Sequence, residues 1–139
     1  MKELKIATGV ETYKLNDSVE VSFNPTDAAF GEKLFNAFDT LDKRQESYKA
    51  EVGKAEGKRE LFDVVRKLDG EMREIINDDF EFDVCSGLFG ELNVYALAEG
   101  LPLWANLLFA IMDEMDETVM REKKAMNPRI AKYTKKYHK

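Results

Sequence analysis

The spacing of apolar residues changes at Asn24, and that change decides what this chain can fold into. Before it, Val19, Val21 and Phe23 alternate with Glu20 and Ser22. A period of two puts one face of a strand toward a core and the other toward water. After it, Phe30, Leu34, Phe38, Leu41, Tyr48 and Val52 recur at spacings of four, four, three, seven and four. That is one stripe on a helix. The chain is therefore expected to be α+β and predominantly α.

The strand side divides at Asn16-Asp17. These residues tolerate the left-handed backbone of a tight turn, so the expected first element is a β-hairpin within residues 1–23. Its earlier strand spans Leu4 to Leu15 and breaks its alternation near Gly9, the place for a bulge or a further turn. A lone two-stranded hairpin is marginal in water. It must pack on helices or pair its edge with another chain.

Residues 24–127 read as a bundle of about three long helices joined by short ones. Asn24 is placed to cap the first, with Pro25 at the opening position and Asp27 near the positive end of the dipole. Gly53 to Gly57 breaks that helix. The second runs from about Lys58 to Asn77, burying Leu61, Val65, Leu68, Met72, Ile75 and Ile76. Short helices are expected at Val84 to Phe89, ending at Gly90, and at Asn93 to Glu99, stopped by Gly100. Pro102 opens the last long helix, about Leu101 to Met126, and Asn127-Pro128 ends it, because a residue before proline avoids the helical region. Residues 128–139 are left as a basic tail. The 139 residues form one domain, long enough to remove about two-thirds of the unfolded chain's surface from water. With 44% hydrophobic and 35% charged residues the chain reads as globular rather than disordered.

Charge is divided unevenly. The last thirteen residues hold five of the 21 bases and no acid, leaving 16 bases against 27 acids, a net of −11, in residues 1–126. An acidic body repels phosphate backbones, so nucleic acid is not an expected partner. The tail reads as a solvated end, or as a segment that meets an acidic surface, its own body included. The apolar run Leu101 to Met112 is too short to span a bilayer, and no basic-then-apolar leader opens the chain. The single Cys85 cannot form an internal disulfide, which fits a reducing cytoplasm.

Catalytic chemistry lacks its usual parts. The only histidine, His138, stands next to the last residue, where a general base is not held in place. Cys85 reads as a small buried apolar residue. Asp78, Asp79, Glu81 and Asp83 do not make a calcium loop: from Asp78 the required Gly and Glu positions hold Asp83 and Phe89, and from Asp79 they hold Val84 and Gly90. Asp113, Glu114, Asp116 and Glu117 lack the Glu-x-x-His pairs of dinuclear bundle sites and read as a solvated face. The expectation is a protein without catalytic residues, metal or cofactor.

Four of the six methionines, Met112, Met115, Met120 and Met126, fall within fifteen residues. They read either as filler for irregular gaps in a core or as an adaptable docking face for helical partners. On the second reading Met112, Met115, Val119 and Met120 form the partner site, together with the hairpin edge, which also offers a route to association between copies.

Several segments carry a resemblance in order. Val19-Glu-Val-Ser-Phe-Asn-Pro-Thr-Asp27 leads into a helix. Phe89-Gly90, Gly100-Leu-Pro-Leu-Trp-Ala-Asn-Leu-Leu108, and Asn127-Pro128-Arg129 with a Lys/Tyr-rich end follow. Over nearly the whole chain this resembles small proteins from the tail-gene modules of phages and prophages of Gram-positive bacteria, which look like tail assembly chaperones. The resemblance implies a protein of the host cytoplasm that binds the long helical tape-measure protein during tail assembly, and it brings no catalytic residues. A structural tail or head-tail connector component, and a prophage-encoded regulator or inhibitor acting by protein binding, are the other expectations.

Overall fold

The computed structural model describes residues 1–125 and 128–137. Its elements are β1 (Glu11–Leu15), β2 (Val19–Phe23), α1 (Ala28–Lys54), α2 (Lys58–Phe80), α3 (Val84–Phe89), β3 (Leu97–Ala98), β4 (Leu101–Pro102), α4 (Leu103–Lys124) and α5 (Arg129–Tyr137). The fold is α+β and mostly helical, an antiparallel hairpin followed by helices, three of them long.

β1 and β2 pair from Glu11 opposite Phe23 to Leu15 opposite Val19. Asn16 and Asp17 sit at φ 50° and 58°, and Ser18 N–H closes the turn on the Leu15 carbonyl at 3.0 Å. The left-handed tolerance of these two residues is what the turn uses. The first strand is shorter than its sequence pattern suggests: residues 1–10 are exposed and lie outside any strand, with Gly9 at φ +73° marking the break. The hairpin is stabilised through aromatic rings. Tyr13 stacks on Phe23 at 4.8 Å between centroids, Phe23 on Phe30 of α1 at 4.7 Å, and Phe30 meets Phe80 of α2 edge-on at 6.4 Å. Such pairs add about 0.5–1.5 kcal/mol each beyond area burial.

α1 begins three residues later than expected, and Asn24 is not its cap. Asp27 caps it, accepting from Ala29 N–H at 3.0 Å. Asn24 instead folds the chain between strand and helix: its Oδ1 accepts from Thr26 N–H at 2.7 Å and its Nδ2 donates to the Thr8 carbonyl at 2.7 Å. With this side chain committed to the turn, the cap role passes to the next carboxylate. α1 also runs through Gly53 and stops at Lys54, so the break belongs to Ala55 to Gly57, with Gly57 at φ +90°. α2 extends three residues past Asn77 to Phe80 and is followed by the cap residue Glu81, which takes a left-handed φ of 64°.

The short helix expected over Asn93 to Glu99 is absent. Asn93 opens a turn closed by Ala96 N–H, and Leu97-Ala98 then pairs with Leu101-Pro102 around Glu99 and Gly100 at φ 54° and 81°. Two consecutive left-handed residues make a hairpin turn and end any helix. Pro102 is consequently the N-cap of α4 rather than a residue inside it. Met126, Asn127 and His138, to which roles were assigned above, lie outside the described residues. The tail is not merely an extended end: Arg129–Tyr137 is helical, with residues 128–136 exposed, and Lys132 N–H bonds the Pro128 carbonyl at 3.2 Å.

α1 packs against both α2 and α4, and α3 packs against α2 and β2. The buried core draws Leu34 and Leu41 from α1, Leu68, Met72 and Ile76 from α2, and Trp104, Leu107, Leu108 and Ile111 from α4. Two polar devices fasten the connection into α4. Asp69 accepts from Val94 N–H at 2.7 Å and from Arg73 Nε at 3.0 Å, while Arg73 donates to the Gly90 and Leu92 carbonyls. Trp104 Nε1 donates to Gln45 Oε1 at 2.8 Å beside the parallel stack of Tyr48 on Tyr95, whose centroids are 3.9 Å apart.

Candidate partner-binding surface

The apolar stripe of α4 is continuous from Trp104 to Ile111 and thins beyond it, where Thr118 is the one buried position. This sequence-level loss of apolar density separates the two halves of the helix. The four residues expected to form a partner site all fall in the distal half, and their environments differ. Met112 and Met115 are half-buried and packed against the core. Met115 Cε lies 3.5 Å from the position a Cβ on Gly31 would occupy, so α1 approaches α4 closely there. Val119 is half-buried and lines a groove, whereas Met120 is 62% exposed. The two outward residues are Val119 and Met120; the other two are gap-fillers, the role Met suits through its flexibility.

The groove beside Val119 encloses about 540 Å³ between the N-terminal segment and the end of α4. Thr8, Gly9, Asn24 and Thr26 form one wall, and Thr118, Glu122 and Lys123 stand on the other. Next to the groove, hydrogen bonds reach across from the hairpin to α4. Tyr13 hydroxyl has its single proton between two acceptors, Glu11 at 2.8 Å and Glu114 at 3.3 Å, and Thr118 hydroxyl donates to the Glu114 carbonyl at 2.9 Å while accepting from Arg121 at 3.1 Å. Burial, then the neighbouring carboxylates, hold the Tyr13 hydroxyl well above the ordinary tyrosine range, so it stays a neutral donor. Sequence spacing did not reveal this link, because the two ends stand about a hundred residues apart.

The acidic clusters have structural occupations. Asp83 caps α3 by accepting from Ser86 N–H at 3.0 Å, and hydrogen bonds from Ser86 hold its carboxyl below the usual carboxylate range. Burial raises Asp79. Asp113, Asp116 and Glu117 are exposed. Among the described residues no group of three His, Cys, Asp or Glu side chains is placed to hold a metal, and no buried side-chain polar atom lacks a hydrogen-bond partner. Cys85 is buried, and burial pushes its thiol up to about 12, away from the thiolate a nucleophile requires. Among the described residues no helix is long and apolar enough to cross a membrane.

A further set of exposed apolar residues was not assigned to a surface from sequence. Leu4 and Ile6 are 86% and 80% exposed, and Val10 is also exposed. Their signal was present in the alternation with Glu3 and Lys5, which reads as a strand but does not tell which surface covers it. Comparison with known protein families, with characterised proteins and with solved structures finds no match.

Proposed function

We infer that this chain is a binding protein of the tail assembly chaperone kind, which covers the apolar surface of a long helical tape-measure protein in the host cytoplasm during tail morphogenesis. The reading begins from the ordered segments Val19 to Asp27, Phe89-Gly90 and Gly100 to Leu108, which resemble such proteins. The observation that carries it on the molecule is the distal half of α4. There Met120 is exposed, Val119 opens onto the groove, and the flanking Asp116, Glu117 and Lys124 keep the apolar side chains in a solvated surround. A helical partner with variable sequence suits an adaptable Met-containing face. The acidic body favours a protein partner over nucleic acid, and the reading assigns no reaction, metal or cofactor.

The test is co-purification with the long helical tail protein of the same gene module. Capture is expected from the unmodified chain, with a loss of at least ten-fold for the double variant Val119→Lys, Met120→Lys while its circular dichroism stays native. If the unmodified chain captures nothing, or the double variant captures as well as it does, the reading fails.

A further inference from the structure

The hairpin is a two-stranded sheet, so each strand keeps one open edge. The two edges are not equally accessible. α3 packs on β2, a Cβ on Gly87 coming within 3.2 Å of the Val19 side chain, whereas among the described residues no element but β2 packs comparably on β1. β1 carries the more open edge. An unpaired edge is a template for a further strand.

The same molecule carries a segment suited to that template. Residues 1–7 are exposed, and among the described residues their main-chain groups make no hydrogen bond within the chain. The segment Lys2-Glu3-Leu4-Lys5-Ile6 has the period of a strand. It is kept from folding back on its own β1. Asn24, which follows the β2 residue Phe23, holds the Thr8 carbonyl at 2.7 Å, and a Cβ on Gly9 would come within 2.6 Å of Asn24 Nδ2. That clamp fixes the exit of the segment on the β2 side of the ladder.

We propose that two copies of this chain exchange their N-terminal segments, residues 2–6 of each adding antiparallel to the open edge of β1 in the other. The register is set by charge and burial. With Leu4 opposite Tyr13, Leu4 joins the half-buried side on which Tyr13 and Leu15 pack against the core, and Glu3 stands opposite the exposed Lys14. Sliding by two residues toward the turn sets Lys5 opposite Lys14, like charges directly across a ladder, which is unfavourable. The exchange is reciprocal, so one two-fold axis generates two identical contacts. Each hairpin becomes three-stranded, the size at which a sheet with one apolar face is independently stable. The dimer stands whether or not the tape-measure reading holds.

Sedimentation equilibrium of the full chain over a range of concentrations tests it. A monomer–dimer equilibrium is expected. Leu4→Asp should raise the dissociation constant at least ten-fold with unchanged circular dichroism, since Leu4 is exposed within one chain. Lys14→Glu breaks the pair in both contacts and should raise it about ten-fold, roughly three-fold for each cross-strand charge pair, and adding Glu3→Lys to the same chain should restore it. A chain carrying Glu3→Cys, mixed with one carrying Lys14→Cys and oxidised, should give a covalent dimer. A protein that stays monomeric at all concentrations, a dimer indifferent to Leu4→Asp, or a failure of the charge exchange to restore association overturns the proposal. So does a disulfide that forms within a single chain carrying both cysteines at high dilution.

Discussion

The two halves of α4 belong to one unbroken helix and have opposite relations to the rest of the molecule. From Leu103 to Ile111 the side chains Trp104, Ala105, Leu107, Leu108 and Ile111 are buried; from Met112 to Lys124 only Thr118 is. Methionine does not mark the difference. Met115 faces α1 and Met120 faces water, five residues apart on the same helix. What distinguishes the halves is whether another element lies opposite. The proximal half is enclosed by α1 and by the connection that Asp69 and Arg73 fasten. The distal half meets α1 at Met115 and the hairpin through the side chains of Tyr13, Glu114 and Thr118, and is otherwise uncovered. Exposure along this helix is therefore set by the neighbours it lacks, and side-chain type enters afterwards.

The largest effect that would break this comparison is expected in the proximal half. Trp104 is buried, packs against Phe38, and donates to Gln45. Trp104→Ala removes that packing and leaves a cavity, at about 3–5 kcal/mol of stability in urea unfolding. A loss below about 1 kcal/mol would mean that this half is no more enclosed than the other.

Next in size is the pair of methionine variants. Met115→Lys places an ammonium where α1 and α4 approach, and about 1–3 kcal/mol of destabilisation is expected. Met120→Lys changes an exposed position and should stay within about 0.5 kcal/mol of the unmodified chain. Equal effects at the two positions would erase the inward and outward assignment and move the boundary of the candidate surface.

A titration separates the enclosed region by another route. Cys85 is raised from 9.0 to about 12 and Tyr95 from 10.0 to about 12, burial being the first cause for both. In each case the neutral form is favoured by the fold. The folded state therefore binds more protons than the unfolded one above pH 9, and stability falls as pH rises. The contribution is fully present below the unfolded values and is lost between about pH 9 and pH 12. Chemical denaturation across that window should show a falling midpoint. Cys85→Ala should delay the onset until tyrosine begins to ionise, near pH 10. A midpoint that stays flat to pH 12 would place both groups in contact with water.

Much of this architecture was legible because periodicity is a local signal. The hairpin turn at Asn16-Asp17, the stripes of α1 and α2, and α3 from Val84 to its Gly90 stop follow from spacing and turn chemistry. Two errors arise where a local signal is met by a competing turn together with a contact distant in sequence. Asn24 has the right chemistry for a cap, but Thr8 and Thr26 occupy it. Asn93 to Glu99 has helix-forming Ala and Leu, but Asp69 captures the Val94 amide and Glu99-Gly100 turns the chain into β3 and β4. The environments of the methionines were half legible for the same reason. The methionine cluster located the distal half of α4, while the assignment of each methionine depended on where α1 passes. Leu4 and Ile6 have the alternation of strand residues, yet they stay exposed on the far side of the Asn24 bond to Thr8.

A small gain in stability tests the passage of α1 directly. Gly31 lies inside α1, where glycine costs about 0.5–1 kcal/mol relative to alanine through lost backbone freedom. A methyl group there would meet Met115 Cε at 3.5 Å, an ordinary contact distance. Gly31→Ala should therefore stabilise the protein by about 0.5–1 kcal/mol, with the methyl group filling space against Met115. Gly70→Ala supplies the reference, because nothing lies within 4 Å of its Cβ and α2 gains the helix term alone. If Gly31→Ala falls well short of Gly70→Ala, α1 and α4 are closer at Met115 than 3.5 Å implies, and the methionine is tightly held. If the two match, Met115 has room to adjust, and the enclosed half of α4 ends at Ile111 rather than at Met115.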